Sequence, residues 1–241
     1  VISFMIFKYR IFGLIANISG DTNVAIGSRA LGAEDTCHGS VAIGYDALGL
    51  QASDADETAA NVGIGKDSGY YNVLGQQNTY VGYKAGQGAS GQSNSYNTAV
   101  GSNALLSITD GGENVAIGNA TGDALTTGHN NTFVGRAAGS ATVEVSDAVI
   151  IGADAAEANM TTAANGTVAV GKAALAALTS GERNLAIGYQ SLQDLTDGDD
   201  NVMIGYQAGL DANSSGFLYN VGVGNYVFDG FGSTVTAAYN T

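Results

Sequence analysis

The chain of 241 residues has no proline, no tryptophan, one cysteine and only eight lysines and arginines. Each scarcity excludes something. A single cysteine, Cys37, leaves no intrachain disulfide and no cysteine-based metal site. His38 follows it directly, but adjacent residues on an extended chain point to opposite faces, so the two do not form a nucleophile and base. Eight cations against twenty-two carboxylates give a formal charge of −14, which argues against nucleic-acid or anionic-membrane partners and favours a soluble, self-repelling surface. The apolar stretch Val1 to Ala16 contains Lys8 and Arg10, which breaks it as a membrane span, so no membrane insertion is expected.

What is abundant is glycine, thirty-six of them, in a chain that is 45% apolar and 12% charged. That balance suits tightly turned, extended backbone repeated many times. Disorder is a poor alternative, because Val, Ile and Leu recur at fixed intervals along the chain.

The interval is set by one phrase. Asn23-Val-Ala-Ile-Gly27 returns from Asn61, Asn78, Asn97, Asn114, Asn131, Asn184, Asn201 and Asn220, with weaker copies closing at Gly44, Gly152 and Gly171. The closing glycines are Gly27, Gly44, Gly65, Gly82, Gly101, Gly118, Gly135, Gly152, Gly171, Gly188, Gly205 and Gly224. Their spacings are 17, 19 or 21 residues, always odd. Extra residues therefore arrive in twos, as loop insertions that preserve the inward and outward alternation of the strands. Three residues after most of these glycines stands Ala or Ser, followed by Leu or Gly, and further on a turn such as Leu125-Thr126-Thr127-Gly128. The unit reads as two short strands joined by two tight turns.

The fold expected is all-β: a left-handed parallel β-solenoid, or β-roll, of 12 to 13 short turns. Residues 1–22 read as a degenerate end turn or junction, 23–228 as the repeat solenoid, and 229–241 as a following segment or end cap. The chain begins at Val1 and stops at Thr241 without a closing element, which reads as a segment of a longer polypeptide.

Within Asn-Val-Ala-Ile-Gly, the Val and Ile positions share one face, and Asn, the middle residue and Gly share the other. Neither face carries charge, so both are expected to be covered, one by the solenoid interior and one by a neighbouring chain. The small middle residues, such as Ala116 and Ala186, are assigned to the interchain contact, where backbones approach around a threefold axis. The nine asparagines are expected to form an amide ladder along the stack.

The phrase, with Ala-Leu or Ala-Gly shortly after it in copies such as Asn184 to Leu192 and Asn131 to Gly139, resembles the head repeat of trimeric autotransporter adhesins. It also resembles the related repeat of bacteriophage tail-fibre proteins. The resemblance covers residues 23 to 228. It implies a homotrimeric, extracellular, non-enzymatic fibre. The longer turns favour a virion tail fibre over a bacterial cell-surface adhesin; either would bear on other fibre components and on a glycan or protein of the host surface.

Site residues are few. Tyr45, Tyr83, Tyr189 and Tyr206 directly follow repeat glycines, in a rank shared with Lys66, Arg136 and Lys172. The rank belongs at a chain seam or at a recognition surface whose rings stack on sugars. No cofactor is expected. The acidic stretches Asp54 to Glu57 and Asp194 to Asp200 are the places where Ca²⁺ would bind, although neither has a calcium-loop pattern. A polysaccharide-degrading solenoid is the remote alternative, disfavoured because no carboxylate recurs within a strand and His38 and His129 lie in different turns.

Overall fold

The computed structural model describes residues 20–33, 36–52, 59–91, 93–212 and 216–230. Most of the end segments 1–22 and 229–241, and the acidic stretch Asp54 to Glu57, lie outside them. Twelve strands of three residues form one all-parallel sheet in sequence order, from β1 (Val24–Ile26) through β2 (Val41–Ile43), β3 (Val62–Ile64), β4 (Thr79–Val81), β5 (Thr98–Val100), β6 (Val115–Ile117), β7 (Thr132–Val134), β8 (Val149–Ile151), β9 (Val168–Val170), β10 (Leu185–Ile187) and β11 (Val202–Ile204) to β12 (Val221–Val223). Each strand pairs in perfect register with the next, so Ala116 sits between Ala99 and Phe133. The fold is a parallel β-solenoid of about eleven turns, and at about 4.8 Å per turn its strands span roughly 50 Å.

The repeat glycines stack in a single column. Their φ angles lie between +129° and +148°, and a Cβ on almost any of them would stand within 2.6 Å of the carbonyl oxygen of the next glycine in the column. Both the dihedral and the close approach require glycine.

One expectation fails. The second half of each turn is not a strand, although its backbone still bonds from turn to turn, as from Leu105 N–H to Thr121 O (3.0 Å) and Ser107 N–H to Asp123 O (3.0 Å). The cause is left-handed backbone at two positions after each glycine. The second residue after it is left-handed whatever its identity (Asp46 φ 56°, Ala137 φ 54°, Gln207 φ 52°), and so is the fourth (Leu48 φ 48°, Gly122 φ 55°, Leu175 φ 52°). Extended dihedrals cannot run through such residues.

The interior and exterior of the strand are also the reverse of the expectation. The middle residues point inward: Ala42, Tyr80, Ala99, Ala116, Phe133, Ile150, Ala169, Ala186 and Met203 are fully buried in the chain's own core. They meet the Ala or Ser and the Leu or Gly of the second half turn. Volume is balanced there residue by residue. Where the strand supplies Tyr80, the facing residues are Gly69 and Gly86, whose added Cβ would strike its ring at 2.8 and 2.3 Å. Where it supplies Phe133, the neighbours are Gly122 and Gly139; where it supplies only Gly63, Leu48 fills the space. A narrow core packed at crystalline density demands this exchange of large for small.

Candidate functional site

The outward side of the sheet is made by the first and third residue of every strand. Of these twenty-four side chains twenty-one are Val, Ile or Leu and three are Thr, at Thr79, Thr98 and Thr132. All are partly or well exposed, with Ile26 at 46%, Ile117 at 42% and Val223 at 70%. No charge interrupts the strip along its whole length. A strip of roughly 50 by 10 Å, about 500 Å², is near the upper limit of the apolar patches that monomeric proteins expose.

The asparagines sit behind this strip, all of them buried except Asn23, which is half-buried. A typical carboxamide works in two directions. Its oxygen accepts from the asparagine one turn on, as Asn78 Oδ1 does from Asn97 N–H (2.9 Å) and Asn184 Oδ1 from Asn201 N–H and Nδ2 (both 3.1 Å). Its Nδ2 donates across the solenoid to a turn carbonyl, Asn61 to Gly75 O (2.6 Å), Asn114 to Gly128 O (2.8 Å) and Asn201 to Phe217 O (2.8 Å). Asn23 and Asn220 close the series, with Asn23 Oδ1 accepting Ser40 N–H (2.8 Å) and Asn220 N–H donating to Asn201 Oδ1 (3.1 Å). These bonds tie strand to corner in nearly every turn.

Tyr45, Tyr83, Tyr189 and Tyr206 line one exposed column beside the apolar strip, each 40 to 47% accessible. Tyr206 is stacked on Tyr189 (centroids 5.3 Å, planes 10° apart) and meets Tyr226 edge-on at 5.4 Å. Nearer the N-terminus the partners are cations. Arg29 lies 4.9 Å from the Tyr45 ring centre, Lys66 lies 5.6 Å from both Tyr45 and Tyr83, and Lys84 lies 5.5 Å from Tyr83. Arg29 and Lys66 also pair with the carboxylates of Asp46 and Asp67. The rings of the column thus contact one another or neighbouring cations, the Tyr45 hydroxyl accepts from Arg29, and each ring keeps a substantial part of its surface exposed.

A third column, missed in the sequence, lies two residues before the asparagines. Its side chains accept the backbone N–H of the preceding turn: His38 Nδ1 from Asp21 (2.9 Å), Ser95 Oγ from Gln76 (3.0 Å), His129 Nδ1 from Gly112 (3.0 Å) and Asp199 Oδ1 from Glu182 (2.8 Å). Only acceptor side chains at that offset could have betrayed it. Cys37 is buried one residue before His38. Among the described residues no three His, Cys, Asp or Glu side chains gather into a group able to hold a metal ion, the Asp194 to Asp200 stretch included. No helix among them is long and apolar enough to cross a membrane.

No protein-family model, no curated protein and no solved structure matches the chain.

Proposed function

We propose that the chain is a structural and adhesive fibre segment, a homotrimer joined along the outward apolar strip, of the bacteriophage tail-fibre kind and without catalytic activity of its own. The observation that carries this reading is the strip itself. It is continuous, uncharged and as long as the sheet, and a turn of seventeen residues has no further element to lay over it. Three identical strips meeting at an axis bury one another and leave the tyrosine columns and insertion loops outside, where three copies bind a host surface together at high effective concentration. A bacterial cell-surface adhesin would share the architecture.

Sedimentation of the whole chain decides the point, with a trimer expected. Ile117→Glu combined with Ile187→Glu places carboxylates on the strip, where burial costs several kcal/mol per ion; the trimer is expected to dissociate into chains that keep their β circular dichroism. Ala116→Glu, whose side chain enters the chain's own core, is expected to abolish folding instead. A wild-type monomer, or an unchanged trimer in the double variant, overturns the proposal.

A further inference from the structure

The turn from Gly82 to Gly101 is two residues longer than the basic seventeen, and the added length sets Ser93, Ser95 and Tyr96 beside the turn that follows. Between them and Asp110, Glu113 and His129 lies a groove of about 370 Å³, a volume in the range of small-ligand sites. Its wall is fixed by backbone rungs. Leu74 N–H donates to Ser93 Oγ (3.1 Å), Gln76 N–H to Ser95 Oγ (3.0 Å), and Tyr96 N–H to Gln76 O (3.0 Å). Because His129 Nδ1 accepts Gly112 N–H, the proton of the neutral ring resides on Nε2, which becomes a donor of fixed position.

Tyr96 is the unusual member. It is 53% exposed and its φ is +63°, a backbone region that bulky residues enter rarely. In the adjacent turns the same column holds Gln77, Glu113 and Asn130, also left-handed. The left-handed backbone belongs to the whole column, Tyr219 (φ 58°) included, so what sets Tyr96 apart is an exposed ring at the rim of the groove.

We infer that this groove binds a neutral hexose or hexosamine unit of a glycan. The Tyr96 ring covers the apolar face of the sugar, the carboxylates of Asp110 and Glu113 accept from its hydroxyls, and His129 Nε2–H donates to another. Among the described residues no lysine or arginine lines the groove, so the carboxylates repel sialic and uronic acids. The inference rests on the adhesive reading above and supplies the ligand class and the place.

The test is saturation-transfer NMR on the whole chain with maltotriose, chitotriose and sialyllactose as probes. Transfer is expected to at least one neutral trisaccharide and not to sialyllactose. Tyr96→Asn, which suits the left-handed backbone, is expected to weaken binding about tenfold, whereas Tyr219→Asn, in the same column but remote from the groove, leaves it unchanged. Absence of transfer to both neutral probes, or equal binding by Tyr96→Asn, overturns the inference. The two readings separate, because sedimentation as a trimer together with binding of bacterial envelope polysaccharide indifferent to Tyr96→Asn removes the groove and leaves the fibre.

Discussion

Asn114 Oδ1 receives both the backbone N–H and the side-chain amide of Asn131, at 3.0 and 2.9 Å, deep inside the solenoid. Asn131 passes the pattern on, accepting Ala148 N–H (3.0 Å) and donating to Val145 O (2.8 Å). Asn131→Ala would remove the side-chain partners of Ala148 N–H and Val145 O. With buried polar groups costing about 1 to 3 kcal/mol each when orphaned, the variant is expected to lose at least about 2 kcal/mol in denaturant unfolding. A loss within experimental error would reduce the ladder to ornament.

The ladder is interrupted at Ser40, Ala148 and Thr167, and the Thr167 hydroxyl oxygen is buried without a hydrogen-bond partner. Thr167→Asn restores the repeat residue at a place where Gly181 O stands as Gly128 O does to Asn114. A gain of about 1 kcal/mol is expected, read as a higher unfolding midpoint, and a lower midpoint would mean that the longer turn there has changed the geometry.

Two glycines separate space from conformation. Gly135 has φ +134° and a hypothetical Cβ 2.6 Å from Gly152 O, whereas Gly166, in an insertion, has φ +75° with nothing within 4 Å. Gly166→Ala is expected to cost about 1 to 2 kcal/mol, the penalty of left-handed backbone alone. Gly135→Ala adds a backbone collision that neither chain segment can avoid, and is expected to cost at least twice as much or to prevent folding. Equal melting temperatures for the two would contradict the glycine column.

Two carboxylates make opposite contributions to acid stability. Burial raises Asp123 above the ordinary aspartate range, so ionisation opposes the fold: the associated stability is present at low pH and is lost as pH rises through the raised value. Asp200 is lowered by its hydrogen bonds to Arg183, so its contribution is present above the ordinary range and is lost as pH falls through the lowered value. Melting curves taken across pH should show Asp123→Asn gaining on the wild type toward neutrality and Asp200→Asn losing, with both differences closing in acid. The Asp200 effect should be small, since the pair is solvent-exposed.

The repeat period, the parallel stacking and the glycine column were legible because the spacing of the closing glycines constrains every turn alike. The face assignment was not. Alternation shows which residues share a face but not which face is inside, and small middle residues such as Ala116 suit a crowded axis as well as a narrow core. The deciding signal was in the sequence, in the pairing of Tyr80 with Gly69 and Gly86 and of Phe133 with Gly122 and Gly139, since exchange of volume at that offset marks a shared interior. The expected second strand failed because Leu48 or Ala137 in a left-handed conformation carries no compositional sign. The groove at Tyr96 was equally invisible, being made by residues of three different turns.

Every strand touches only the one before it and the one after it, so cross-section and reach are independent quantities. Excising residues 118–134 would join Ile117 to Gly135 and rebuild the same phrase, shortening the rod by one rung of about 4.8 Å while keeping the glycine column and the apolar strip continuous, with His129 and Asn130 lost from the groove wall. The molecule is in this sense a ruler with unit marks, whose length can be adjusted by duplication or loss of a single turn.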